Sequence, residues 1–329
     1  MSFHGNISIF VPHIGCPNRC SFCNQHTITG EILPPAAEDV KRAVNTAVSH
    51  PNHDSQNTEI AFFGGSFTKI DKDLMINLLS AGYEFVKDKK VSGIRISTRP
   101  DGITKEILDI LKSYGVKAIE LGCQSMDDGV LRANLRGHTA LDVYKASKLI
   151  KDNGFSLGLQ MMTGLYKDSE QKAMETLEKI ISINPDTLRI YPTLVLKGTY
   201  LEKLFNRGEY KPQSVSEAAE LVAKLLRRLK ETDIKVIRVG LHTVEKEGFV
   251  KGPWHPAFGE ICESLVLRNE VLEIIKAKKI PKGNIKVAVP KGSLSKMIGQ
   301  KKSNIEFFKG LGYNCKVYED NLKEILVEY

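Results

Sequence analysis

Long apolar runs are missing from this 329-residue sequence, and none could cross a bilayer. The first residues, MSFHGNISIFVPHIG, lack a basic stretch followed by a long apolar core, so they do not read as a secretory signal. Cysteine is scarce: there are six, and half of them fall within eight positions. A disulfide scaffold spreads even numbers of cysteines along a short secreted chain, so that class is excluded. No internal repeat or low-complexity tract is visible, and 42% apolar residues is too many for a disordered chain. The expectation is a soluble cytoplasmic protein with one large domain and a small one, and no membrane partner.

Charge is unevenly placed. Residues 271–329 hold twelve Lys, no Arg and six Asp or Glu, which is +6 of the chain's net +8. A basic segment on a near-neutral body points to an anionic partner, with an ordinary solvated lysine surface as the plainer alternative.

Short β-rich runs alternate with amphipathic stretches. Strands are expected at 7–12, 59–64, 93–98, 118–123, 156–161 and 187–192. Helical patterns lie between them at 38–48, 72–88, 105–115, 140–154 and 169–183, with Gly115 and Gly154 where C-caps belong. This alternation predicts an α/β fold with a parallel sheet. Six units are too few for a closed eight-fold barrel, so an open, partial (β/α)6 barrel is expected over 1–240. After a connecting segment and helix (241–280), residues 281–329 read as a small basic α+β unit in β-α-α-β-β order. In barrels of this kind the loops after the strands build the site, and those loops collect the unusual residues.

The first such loop, GCPNRCSFCNQ, spaces its thiols C-x3-C-x2-C: Cys16, Cys20 and Cys23. A buried packing trio is a poor reading, because packing cysteines do not cluster in a Pro/Asn loop. Three thiolates suit a zinc ion completed by His13 or His26. They equally suit three irons of a 4Fe–4S cluster with the fourth iron left open. Cys123, Cys262 and Cys315 are scattered and read as small buried apolar residues.

That spacing, with an aromatic at Phe22, resembles the signature of the radical S-adenosylmethionine (SAM) superfamily. The resemblance implies a partial barrel and a 4Fe–4S cluster whose open iron binds SAM. It also implies cleavage of SAM to a 5′-deoxyadenosyl radical, with a reductant such as flavodoxin or ferredoxin as partner. It further implies roles for particular residues. Phe22 would pack by the adenine. Gly64, Gly65 and Ser66 in GGSFT would contact the SAM amine. Ser97, Gln124 and Gln160 would present polar groups to the ribose, and Arg136 in RGHT would pair with the SAM carboxylate. A plain turn at GGSFT and a helix-surface Arg136 are the plainer alternatives.

Longer stretches at 97–106, 120–131, 136–139 and 188–212 resemble the radical SAM portion of the Elongator catalytic subunit family and its short bacterial relatives. The likeness covers roughly residues 5–215. Two departures stand out: that family spaces its cluster cysteines differently, and this chain leaves no room for an acetyltransferase domain. The tail resembles a KH-like RNA-binding module, whose loop between helices clamps a nucleic-acid backbone. IGQKKSN (298–304) occupies that loop; Gly299 is present, but Lys302 stands where a second glycine is usual. Lys296, Lys301 and Lys302 would meet phosphates. The segment WHPAFGE (254–260) reads as a helix entry rather than as a substrate site at His255. The function expected is radical SAM chemistry on RNA, with a tRNA base as target. The rivals are the same chemistry on a small molecule, as in coproporphyrinogen oxidase, or on a peptide, and a zinc-bearing RNA-binding protein without activity.

Overall fold

The computed structural model describes residues 5–11, 15–16, 20–24, 33–241 and 246–329. The chain begins with β1 (Gly5–Val11), α1 (Ala37–Val48), β2 (Thr58–Gly64) and α2 (Lys72–Lys87). It continues through β3 (Gly93–Thr98), α3 (Lys105–Ser113), β4 (Val116–Gln124), α4 (Asp128–Ala133) and α5 (Ala140–Asp152). Next come β5 (Ser156–Thr163), α6 (Glu170–Ile183), β6 (Thr187–Pro192), β7 (Val195–Leu196), α7 (Tyr200–Asn206) and α8 (Val215–Leu229). Then follow β8 (Lys235–Val239), β9 (Phe249–Lys251) and α9 (Phe258–Ala277). The last elements are β10 (Gly283–Pro290), α10 (Leu294–Ile298), α11 (Ser303–Gly310), β11 (Tyr313–Asp320) and β12 (Leu326–Glu328).

Short polar side chains start most of these helices. Asp71, Thr104, Thr139, Ser169, Thr199 and Ser214 each accept a backbone N–H of the first turn. Thr139 and Ser214 complete reciprocal capping boxes with Asp142 and Glu217. Gly115 and Gly154, at φ +70° and +80°, end α3 and α5 as their positions predicted.

Seven parallel strands form one curled sheet in the order β1-β2-β3-β4-β5-β6-β8. The six predicted strands are all present, and the partial barrel is the fold observed. The seventh, β8, was not anticipated. Its sequence KVIRV carries two cations, and it lies half-exposed at the sheet edge, so no apolar run announces it. The helix-facing side of the sheet is apolar, with Ile60, Phe62, Ile94, Ile96, Ile119 and Leu121 fully buried.

The inner face differs, because β2, β3, β4 and β6 each bring one buried or nearly buried charged residue to it. Glu59 accepts Arg95 Nε at 2.8 Å. Arg95 Nη1 also reaches Glu120 at 3.4 Å. Glu120 in turn takes Arg189 Nε at 2.6 Å and Nη2 at 2.9 Å. The ladder is nearly dry, with Glu120 only 1% exposed, and its two carboxylates balance its two guanidinium groups.

Residues Met1–Pro212 with Ile234–Gly252 form one compact unit, and Gln213–Asp233 with Pro253–Tyr329 form the other. These limits differ from the division at 240 and 280 read from the sequence, for a packing reason. Apolar residues are spread round α9, so it is buried on more than one side. Val271 and Ile275 of α9 enter the small sheet's core with Ile285, Val287, Met297 and Phe308. On another side, α9 pairs with α8 through Arg268–Glu220 at 2.7 Å, Arg227–Glu273 and Lys230–Glu270. In this second unit β10 is central, parallel to β11 and antiparallel to β12, and it has the expected β-α-α-β-β order. His255 helps to start α9, since its Nδ1 accepts Ala257 N–H at 3.1 Å, in keeping with a helix entry.

Candidate functional site

The predicted site residues come together. One cavity of about 100 Å³ is lined by Cys16, Cys20 and Cys23, by Phe22, and by Gly64, Gly65 and Ser66. Ser97, Gln124, Arg136 and Gln160 complete the predicted set on its wall. His13 and His26, the candidate fourth ligands of a zinc ion, lie outside the described residues. Among the described residues, no three His, Cys, Asp or Glu side chains surround a single-ion position.

Each wall has a local cause. β2 ends at Gly64 with φ +109°, and a Cβ there would stand 2.8 Å from Val11 O. Glycine alone fits that turn, which brings Gly65 N–H to Val11 O at 2.7 Å. Ser66, 1% exposed, is committed inward, with Oγ 2.8 Å from Thr98 Oγ1 and accepting Arg99 N–H at 3.3 Å. At the end of β4 the register slips between Gly122 and Gln124, and Gln124 takes φ +63°. Such a bulge re-aims backbone carbonyls. Here Gly122 O accepts Arg136 Nη2 at 2.5 Å, and Cys123 O lies 3.3 Å from His138 Nε2. Burial and the charges of Arg136 and Arg99 push His138 down to about 4, so it is neutral at ordinary pH.

Arg136 is not a surface residue. It is 5% exposed, and Nη1 donates to Cys20 Sγ at 3.0 Å. Arg99, which the sequence reading did not single out, lines the same cavity. Its Nη2 donates to Arg136 O at 2.5 Å, and its Nε to Asp101 at 2.8 Å. Burial works against ionisation of Asp101, but Arg99 and Lys69 outweigh it and hold the carboxyl below its usual range. Burial raises Cys16, opposed by the Ser66 backbone and by Arg99 and Arg136. Burial raises Cys23 further, reinforced by the other two thiols. Among the described residues no carboxylate lines the cavity, and two guanidinium groups do. The site therefore suits anionic sulfur and an anionic ligand.

The cysteine loop is tied to distant segments. Ser21 Oγ donates to Asn134 Oδ1 at 2.7 Å, and Ser21 N to Asn134 O at 3.0 Å. Leu201 N donates to Ser21 O at 2.7 Å, and Asn24 Nδ2 to Lys197 O at 2.8 Å. Phe22 packs against Val195, Leu201, Leu204 and Tyr210.

The tail loop of the second unit distributes its candidates differently. Lys296 is paired with Glu263 at 2.5 Å. Gly299 has φ +77°, and a Cβ there would meet Ser303 Oγ at 2.4 Å and both Asn304 N and Ser264 Oγ at 3.1 Å. Internal packing thus accounts for the glycine. Lys301 and Lys302 are exposed, both at left-handed φ of +52° and +62°.

The profile of the Radical SAM superfamily matches residues 10–180, and that of the Radical_SAM C-terminal domain matches 185–266. Human Elongator complex protein 3 is 32% identical over 257 residues, covering 69% of this chain and 46% of that protein. A tRNA uridine(34) acetyltransferase of Dehalococcoides mccartyi is 24% identical over 252 residues, 67% of this chain and 55% of that one. The chain thus spans about half the length of these relatives. The archaeal Methanocaldococcus infernus Elp3, lacking its first residues, shares the fold with a TM-score of 0.64 at 20% identity. That likeness covers 85% of this chain and 65% of the archaeal one. Because the superfamily match takes in most of the curled sheet, the cysteine loop and the arginine against it, this chain belongs to the radical SAM superfamily of enzymes.

Proposed function

We propose that this enzyme holds a 4Fe–4S cluster on Cys16, Cys20 and Cys23, binds SAM beside it, and modifies RNA, with tRNA as the substrate. The observation that carries the cofactor half is the meeting of three thiols and two guanidinium groups at one cavity with no carboxylate among its described residues. The polar atoms fit as well. Gln124 Oε1, Arg99 Nη1 and Arg136 Nε are buried without a hydrogen-bond partner. A ligand with anionic oxygens for the two guanidinium donors and an N–H or O–H for the Gln124 oxygen would satisfy them. One-electron cleavage of SAM into methionine and a 5′-deoxyadenosyl radical is the chemistry that cluster and SAM supply when bound.

The chain's own residues then hold and shield. Arg136, fixed by Gly122 O and Cys20, is aimed to pair with the SAM carboxylate. Gly64 and Gly65 let backbone approach the amine without side chains in the way. Gln124 and Gln160 offer amide groups to the ribose, and Phe22 an apolar face to the adenine. Ser97 and Ser66 set the wall, the latter through Thr98 and Arg99. The RNA half is supported by the basic tail and its exposed Lys301 and Lys302, and by relatives whose names carry Elongator and tRNA.

Anaerobic reconstitution tests the first half: about four irons per chain and reductant-dependent SAM cleavage are expected. Cys20→Ala should abolish both, and cleavage that survives it would overturn the ligand assignment. Nucleosides of total tRNA, compared by mass spectrometry with and without the protein, test the second. Because α9 shares its core with the tail, cutting the chain at residue 281 would expose Val271 and Ile275. The double variant Lys301→Glu/Lys302→Glu is the sounder probe. It should weaken tRNA binding and reduce the salt slope by about 1 to 2; an unchanged slope would remove the tail from RNA recognition.

A further inference from the structure

A larger cavity, of about 660 Å³, opens beside the cysteines and shares Phe22, Cys23, Gly64, Ser97, Gln124 and Gln160 with the smaller one. The shared rim is where the adenosine of SAM is proposed to lie, and the rest of the cavity, towards Phe10, Arg189 and Arg238, is left for another ligand. Among the described residues its lining contains no Asp or Glu, and two of them are arginines. Their situations differ. Arg189 is neutralised by the two bonds it makes to Glu120, and its guanidinium sits 5.2 Å from the centroid of Phe63. Arg238 has no carboxylate partner among the described residues; its Nε donates only to Gly240 O, at 2.9 Å.

Strand register brings these groups into one row. Gln160 is opposite Arg189, and Arg189 is opposite Arg238, across β5, β6 and β8. Burial presses Arg238 towards its neutral form and the Arg189 charge adds to this, with only the Tyr191 hydroxyl opposing. A bound anion would relieve both pressures at once. On the opposite edge, β1 and β2 set Phe10 directly beside Phe63. Phe10 is 38% exposed and leaves an aromatic face open at the cavity wall. Aromatic faces at one side, an unneutralised guanidinium at the other and amides between them match a planar ring carrying an anionic group.

We propose that this cavity takes a single nucleotide of the substrate, its base stacked on Phe10 and its phosphate held by Arg238. The assignment rests on the RNA reading above and sharpens it: the barrel recognises an extruded nucleotide, and Arg238 is the contact that positions its phosphate. The phosphate sits at the β8 edge, and the base is placed towards the six residues shared with the cysteine cavity.

The test is equilibrium dialysis of the reconstituted full chain with the four nucleoside monophosphates and the four matching nucleosides. Monophosphates should bind more tightly than their nucleosides. Arg238→Gln should weaken monophosphate binding roughly ten- to a hundredfold, the worth of one charge-assisted contact, and leave nucleoside binding unmoved. Arg238→Lys, which keeps the charge, should restore part of the difference and so excludes a folding defect. Phe10→Ala should weaken both ligand series alike. Equal binding of nucleosides and monophosphates, an unaltered ratio in Arg238→Gln, or no binding of either series at millimolar concentration would overturn the proposal. Iron content and SAM cleavage of the unsubstituted chain report separately on the cluster. Their loss with phosphate discrimination intact removes the radical reading alone, and the reverse removes only the nucleotide assignment.

Discussion

Glu120→Gln removes one negative charge from the driest part of the barrel. Glu120 is 1% exposed and receives Arg189 Nε and Nη2, Arg95 Nη1 and Gln160 Nε2 at 2.6, 2.9, 3.4 and 3.0 Å. Glutamine keeps the shape and one acceptor oxygen, but its NH2 turns a donor towards donors. Arg95 retains Glu59 at 2.8 Å. Arg189, with its side chain only 12% exposed, is left without its carboxylate. Removing one partner of a buried pair costs about 3–5 kcal/mol, a large part of the ~5–15 kcal/mol that holds a domain together. With a urea slope of about 2–3 kcal/mol per molar, the unfolding midpoint should fall by about 1–2 M. Circular dichroism across a urea series reads it. The exposed Lys72–Glu106 pair, 2.8 Å apart, is the control, and Glu106→Gln should leave the midpoint where it was. A Glu120→Gln midpoint within error of the unsubstituted protein would refute the view that the ladder is a structural necessity of the inner face.

Asp168 should impose the opposite pH trend from a salt-bridged carboxylate. Burial pushes it up to about 6, only partly offset by backbone N–H groups and Lys172. Its folded value lies above the unfolded one, so stability is greatest below about pH 4, declines between about pH 4 and 6, and is flat above. The loss is on the order of 3 kcal/mol. Asp168→Asn should flatten that slope in denaturant titrations at several pH values, and an unchanged slope would locate the titration elsewhere. Gly64→Ala forces a side chain into φ +109° with a Cβ 2.8 Å from Val11 O, and should cost at least about 1–3 kcal/mol. A thermal midpoint equal to that of the parent would show that the turn yields.

The strands of the barrel were legible where burial on the helix-facing side left apolar runs. β8 was not, because KVIRV is short, cationic and at an edge. The cysteine loop was legible because no packing role explains three thiols in eight positions. The charge ladder was overlooked although its signal is present: Glu59, Arg95 and Arg189 are each the one charge of their strand, and Glu120 is the one buried charge of β4, whose Lys117 is exposed. Lone charges at inner positions of neighbouring parallel strands can only be satisfied by one another. Arg99 escaped for a different reason. Its role depends on a carbonyl 37 residues away, at Arg136, and no local pattern reports that bond.

The same dependence on distant groups gives 134–138 and 195–201, neither of which supplies a thiol, a part in holding the cysteine loop. Among its described residues the loop contains no helix or strand, and besides Cys23 N–H to Cys20 O it is bonded to distant segments. Ser21 is bound to Asn134, 113 residues on, through side chain and main chain together. Asn134 is itself locked by donating to Val130 O and Tyr166 O at 2.8 Å. Leu201 and Lys197 close the other side through Ser21 O and Asn24. The loop is thus clamped between the end of α4 and the start of α7, and the same clamp seats Phe22 on Leu201 and Leu204. A shift in either support would move the thiols and the aromatic together. What the supports hold in place is the loop together with Arg136 against Cys20, rather than the cysteines alone.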